Sequence, residues 1–179
     1  PQRGFAGVPP LGPRWYRAPV NMDELRVPKR RTPVEVVLPG GAVRQVVVFL
    51  SEFASNHVGA ERLSDLLNGS DDFFPAVEQE SDRLVFFNRT SIVAARVAPE
   101  VEDDAHAADG ATIPTEHEVE ITLMDGTGLL GLVTYVLPPD RSRLNDFLNE
   151  APPFFKVLEE GRISLVNKRH VSRVVALKR

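Results

Sequence analysis

Four histidines, His57, His106, His117 and His170, are the side chains best suited to move a proton near neutral pH. Nucleophilic catalysis would need one of them beside a Ser or Thr hydroxyl and oriented by a carboxylate. Their positions do not suggest this, since His106 stands in an acidic stretch, His57 in a loop, and His117 and His170 in segments read as strand and turn. Each is read as an ordinary surface or hairpin histidine. Asp103, Asp104 and Asp109 surround His106 with hard oxygen donors that suit Ca²⁺ or Mg²⁺, but without the regular ligand spacing of a calcium loop. A solvated charge run is the expectation there. Asp65 and Asp146 could form a carboxylate pair, yet each closely follows a helix start, where favouring the helix dipole is a sufficient role. The glycine turns Pro39-Gly40-Gly41 and Asp125-Gly126-Thr127-Gly128 lead into no helix that could receive a phosphate. No catalytic residue, cofactor or metal is expected, and the chain is not read as an enzyme.

Composition narrows the field further. The 179 residues contain no cysteine, which excludes a disulfide framework, a thiolate nucleophile and cysteine-bound iron or zinc, and which points to a reducing cytoplasm. Hydrophobic residues are 42% of the chain, enough for a core, and the net charge of -4 disfavours bulk nucleic-acid binding. No apolar run approaches a membrane span, the longest candidate being Val46 to Leu50 with its neighbours. The first residues lack the apolar core of a signal peptide, so a cytoplasmic protein is expected, peripheral on the membrane face at most. The triplets Asn68-Gly69-Ser70 and Asn88-Arg89-Thr90 match a glycosylation acceptor, which matters only in a secreted protein.

Charge is unevenly spread. Residues 1–33 hold seven basic residues against Asp23 and Glu24, leaving 14 basic and 23 acidic residues in the remainder. Seven prolines in the same stretch predict an extended or irregular arm with at most a short helical turn near Asn21 to Leu25. It carries Phe5, Arg14, Trp15, Tyr16, Arg17, Arg30 and Arg31, the residue types that anchor interfaces, and these are the candidate partner-binding residues.

The remainder reads as an internal repeat. Arg62-Leu63-Ser64-Asp65-Leu66-Leu67-Asn68 answers to Arg143-Leu144-Asn145-Asp146-Phe147-Leu148-Asn149 at an offset of 81, and Phe73-Phe74 falls on Phe154-Phe155 at the same offset. Arg83 to Arg89 then matches Arg162 to Lys168 at an offset of 79, and Val34 to Gly41 pairs with Val119 to Gly126 at 85. The expected organisation is an arm over 1–33, a first ββαββ unit over 34–98, an acidic linker over 99–116 and a second unit over 117–179. Such a fold is mainly β (α+β), with the two units packed as a pseudo-twofold pair because each is marginal alone.

Within each unit the local signals are plain. Val34 to Leu38 and Val119 to Met124 run into glycine turns and return over 43–50 and 129–136, two hairpins. Arg62 to Asn68 and Ser142 to Glu150 carry leucine and phenylalanine at i, i+3 and i+4, which predicts two-turn helices, with Ser142 as an N-cap. The double phenylalanines are expected to plug each core. Leu84 to Phe87 with Ile92 to Val97, and Ile163 to Val166 with Val171 to Leu177, are expected to form hairpins turning at Asn88 and Asn167 in positive φ.

The one basic cluster inside a unit is Lys168-Arg169-His170 with Arg173. Ile121-Thr122-Leu123-Met124-Asp125-Gly126-Thr127 with Gly131 resembles the first motif of Sm-like RNA-binding proteins, and Asn167-Lys168-Arg169-His170-Val171 is similar to their basic second motif. This resemblance spans about 30 residues and implies RNA contacts by Lys168, Arg169 and Arg173. The helix lies between the second and third strands rather than before the first, a departure from that family. The block Arg-Leu-x-Asp-Phe-Leu-Asn followed by Phe-Phe resembles short bacterial ββαββ repeat proteins, a likeness that implies no activity. The expected function is a non-catalytic assembly subunit docking on other protein subunits, including those at the cytoplasmic side of a photosynthetic or respiratory membrane complex. An RNA- or DNA-binding regulator using Lys168 to Arg173 is the alternative.

Overall fold

The computed structural model describes residues 28–102 and 114–177. They form a mainly β fold with two short helices. The strands are β1 (Lys29–Val37), β2 (Val43–Ser51), β3 (Phe73–Glu78), β4 (Leu84–Asn88), β5 (Ala94–Val97), β6 (Thr115–Leu123), β7 (Gly128–Tyr135), β8 (Phe154–Glu159), β9 (Arg162–Asn167) and β10 (Val171–Ala176). Helix α1 (Leu63–Leu67) lies between β2 and β3, and α2 (Leu144–Glu150) between β7 and β8. All ten strands join one antiparallel sheet in the order β10-β6-β7-β8-β9-β5-β1-β2-β3-β4.

Both glycine-turn hairpins form as the sequence predicts: Val37 faces Val43, and Thr122 faces Gly128. Gly40, Gly41 and Gly126 hold φ near +79°, +78° and +87°, a region that favours glycine. The later strands differ from expectation. Phe73-Phe74 and Phe154-Phe155 open strands β3 and β8, so each half has five strands rather than four. Neither β4 with β5 nor β9 with β10 forms a hairpin. Instead β5 crosses to the far side of β1, and β10 to the far side of β6. Asn88 and Asn167 keep ordinary extended backbone at φ −76° and turn the chain with their side chains, whose Oδ1 atoms accept the amides of Thr90 (2.9 Å) and Arg169 (3.0 Å).

Because only residues 89–93 in one half and 168–170 in the other carry the chain from one edge strand to the opposite edge, each half of the sheet must curl round its own core. The halves then meet head to tail through β5 and β9, with Ala94 to Val97 opposite Val166 to Ile163. This replaces the expected pseudo-twofold packing, which would bring like strands together. The two cores interpenetrate at that joint. Phe154 and Leu165 pack with Val34, Val46, Leu63 and Phe74, while Val37, Val93 and Ala94 pack with Ile121, Val133 and Phe155.

Other boundaries shift for physical reasons. β1 begins at Lys29, inside the segment read as arm, and Pro33 sits opposite Val47 within it. Leu38 N–H donates to Ala42, so by alternation the missing donor of Pro33 faces away from β2, along a stretch that β5 does not reach. The helix after Pro139–Arg141 is preceded by Arg143 rather than capped by Ser142, and the main-chain amides of Arg62 and Arg143 donate to Asp65 (2.9 Å) and Asp146 (3.3 Å). Glu102, read as linker, is buried: it accepts from Ser64 N–H at 2.8 Å and pairs with Lys156 at 3.0 Å. Gly131 is needed where β7 meets β8, since a Cβ there would lie 2.6 Å from Val157 and 2.7 Å from the Leu158 carbonyl.

Two outcomes follow for stability. Phe74→Ala should lower unfolding free energy by about 3 to 5 kcal/mol in a denaturant titration, whereas Phe73→Ala should stay within about 1 kcal/mol, since Phe74 is buried and Phe73 exposed. Asn68→Ala should cost about 2 kcal/mol or more, because it orphans both the N–H and the C=O of buried Phe154.

Candidate functional site

The histidine with the best chemical surroundings is His57. Its Nε2 lies 2.8 Å from Asp65 Oδ2, and Asp65 is held in turn by Arg62 N–H at 2.9 Å and by Asn56 Nδ2 at 3.1 Å. The Asp65 hydrogen bond raises the His57 pKa above its ordinary value, and a second bond, to the Val58 carbonyl, acts the same way. Burial pushes the Asp65 carboxyl up, but the bonds from His57, Arg62 and Asn56 outweigh it and leave the group below the usual carboxylate range. No Ser or Thr hydroxyl bonds to this His–Asp pair among the described residues; the bonds it makes tie the loop before α1 to the helix start. Asp65 thus serves the helix start, as its position in the sequence suggests.

Asp65 lies on a cleft that is also lined by Lys29, Ser51, Phe73, Arg89 and Phe154 among others. Arg89, in a polar Asn-Arg-Thr turn that reads as exposed, is buried. Its Nε donates to the Leu66 carbonyl at 2.9 Å and its guanidinium stands 5.9 Å from the centre of the Phe74 ring, while Nη1 has no hydrogen-bond partner among the described residues. It closes the C-terminal end of α1 and covers the core. Lys168, its counterpart by sequence offset, is exposed and donates to the Ala151 carbonyl at 2.5 Å.

The basic cluster does not form one hairpin. Lys168 and Arg169 lie in the crossover turn between β9 and β10, and Arg173 lies on β10 beside an irregularity in its pairing with β6. His170 links that turn to the other half, its Nε2 standing 3.0 Å from the Thr90 carbonyl oxygen. Of the partner-binding candidates, Phe5, Arg14, Trp15, Tyr16 and Arg17 lie outside the described residues, as do His106, Asp103, Asp104 and Asp109. Arg30 and Arg31 are exposed on β1, where Arg30 reaches the Glu61 carbonyl at 3.4 Å and Arg31 stands 5.8 Å from the centre of the Phe49 ring.

A different feature stands out as a surface for contact. Phe73, Leu84 and Phe86, on the adjacent strands β3 and β4, are 56%, 59% and 64% exposed. They flank the outer edge of β4, which pairs only with β3 among the described residues. Three large apolar side chains thus stand in solvent beside an edge whose outward main-chain groups have no strand partner among the described residues. The sequence carried the signal as Leu-Val-Phe-Phe, but it reads equally as core. No family model, characterised protein or solved structure matches the chain.

The His57–Asp65 pair sets a pH dependence. Because the folded pKa of His57 is raised, its contribution to stability is fully present below the ordinary histidine value and lost as pH rises through the folded value. His57→Ala should therefore lower Tm more at about pH 6 than at about pH 9, measured by differential scanning calorimetry. An equal loss at both would show that the pair carries no proton linkage.

Proposed function

We propose that the chain is a non-catalytic assembly subunit, a tandem duplication of one β-rich unit that carries a basic N-terminal arm onto a larger protein complex. The observation that carries the reading is the open β4 edge with Phe73, Leu84 and Phe86 beside it. Supporting the duplication, strands 29–97 are ordered fifth, first, second, third, fourth, and strands 115–176 repeat that order, with a helix after the second strand in both. Supporting the arm, exposed Arg30 and Arg31 continue its basic run onto β1, next to Phe49. A basic arm beside apolar surface fits other protein subunits with acidic rims, including those on the cytoplasmic side of a membrane complex. Among the described residues no helix is long and apolar enough to cross a membrane.

The 179-residue chain, tagged and isolated from its native cells, should bring with it a stoichiometric protein of different sequence. As the single tryptophan, Trp15 is the strongest anchor the arm offers. Trp15→Ala should weaken that association about thirtyfold, the equivalent of about 2 kcal/mol. Isolation of the chain without any other protein would overturn the reading.

A further inference from the structure

We infer that the outer edge of β4 receives the β10 edge of a second copy of this chain, so that copies join head to tail and the sheet continues from one molecule into the next. The inference rests on the duplication proposed above, and its template lies inside the chain. Where β9 meets β5, Asn167 N–H donates to the Val93 carbonyl at 3.0 Å and Asn167 Nδ2 to the Ile92 carbonyl at 2.9 Å. Asn68, at the C-terminal end of α1, grips the start of β8 with both side-chain polar atoms, bonding the C=O of Phe154 at 3.0 Å and its N–H at 2.9 Å. Phe154, Leu165 and Asn167 are 2%, 0% and 1% exposed in this joint.

The same parts recur at the two free edges. At the sequence offset of 79, Leu84 to Asn88 correspond to Ile163 to Asn167, and Ser172 to Ala176 to Val93 to Val97; at 81, Phe73 corresponds to Phe154 and Asn149 to Asn68. Phe73 and Phe86 are exposed where Phe154 and Leu165 are buried. Among the described residues Asn149 bonds only within its own helix, to the Asn145 carbonyl at 2.8 Å. Asn88 holds its Oδ1 as Asn167 does, while its Nδ2 has no partner among the described residues. A second copy would give each of these groups the partner its counterpart has.

Main-chain groups and charges agree. Arg89 N–H donates to Asp72, so by alternation the N–H groups of Leu84, Phe86 and Asn88 face away from β3. Leu177 N–H donates to Glu118, so those of Val174 and Ala176 face away from β6. Phe86 then falls opposite Val174, and Leu84 opposite Ala176. Glu35 and Arg162 stand 4.0 Å apart across the internal joint, and their counterparts Glu120 and Arg83 bring the same opposite charges to the free edges. β4 itself carries no charge, proline or bulge that would discourage pairing. Because the two edges differ, each copy offers one of each, and assembly continues until it closes on itself.

Light scattering coupled to gel filtration tests this on the purified full-length chain. The wild type should show at least twice the 19.8 kDa of one copy. Phe86→Pro and Ala176→Pro each remove one outward N–H at a position where an edge strand tolerates proline, and each should give a 19.8 kDa species with an unchanged circular dichroism spectrum. Mixed in equal amounts, they should form a discrete dimer, since one retains β10 and the other β4. A monomeric wild type, an assembly that survives either substitution, or a mixture that stays monomeric overturns the inference. A monomeric wild type whose Trp15 emission shifts to the red in Phe86→Pro would assign the edge to the chain's own arm. Should a proline variant lose its fold, Arg83→Glu should dissociate the assembly, and adding Glu120→Arg in the same chain should restore it. Self-association is read on the pure chain and association with other proteins by co-isolation, so the failure of one leaves the other standing.

Discussion

The structure depends on how the beginning of β8 is satisfied. β7 and β8 pair only at Leu132 and Leu158, so the two strands diverge before Phe154 is reached. The N–H and C=O of Phe154 are therefore buried without a neighbouring strand on that side, a loss of about 1 to 3 kcal/mol for each if left unpaired. Asn68, from the end of α1 in the other half, supplies both missing partners. That one side chain fixes where α1 sits against β8, and with it the approach of β9 to β5. Ion pairs join on the same seam: Arg96 meets Glu35 at 2.6 Å and Glu159 at 3.7 Å, and Arg162 meets Glu159 at 2.9 Å. The Arg96 hydrogen bond holds the Glu35 carboxyl below its ordinary range against the upward push of burial. The seam is thus polar at its rim and apolar within, the pattern of an interface between folded units.

Legibility in the sequence follows the range of the interaction that decides each feature. The two glycine-turn hairpins and both helices were readable because they are set by residues within a few positions: Gly40 and Gly126 for the turns, Leu63 and Leu67 for the buried face of α1. β3 and β8 carry no strand signal of their own, because Phe-Phe followed by Pro75 or Lys156 lacks the alternation that marks a half-buried strand. The crossover of β5 was hidden for a related reason. Two apolar runs joined by Asn-Arg-Thr look like a hairpin, and only the curl of the sheet, which brings its far edge within reach of residues 89–93, makes the alternative short enough.

Of the candidate site, the position of Asp65 at a helix start was readable, but not that His57, eight residues before it, would bond its carboxylate. Glu102 shows where composition misleads. It sits in a run of acidic and small residues that reads as solvated, yet it is buried because Ser64 N–H and the Lys156 ammonium converge on its carboxylate. An acidic residue enters a protein interior only with such partners, and both lie far from it in sequence.

Phe73 and Phe154 carry the last step. Each opens a strand of six residues after a short helix, and each is followed by a second phenylalanine that is buried. Local sequence therefore gives them the same backbone and the same direction. What differs is the neighbour: Phe154 lies under α1 and Asn68 of the other half, while no described residue occupies the corresponding place over Phe73. An apolar ring of that size left in water forgoes about 1.5 to 3 kcal/mol that burial would return. The exposure of Phe73 is accordingly a property of the molecule's boundary and not of its local fold. The same distinction separates Phe86 from Leu165 one strand further on, where the pairing of β9 with β5 covers the one and nothing in the described chain covers the other.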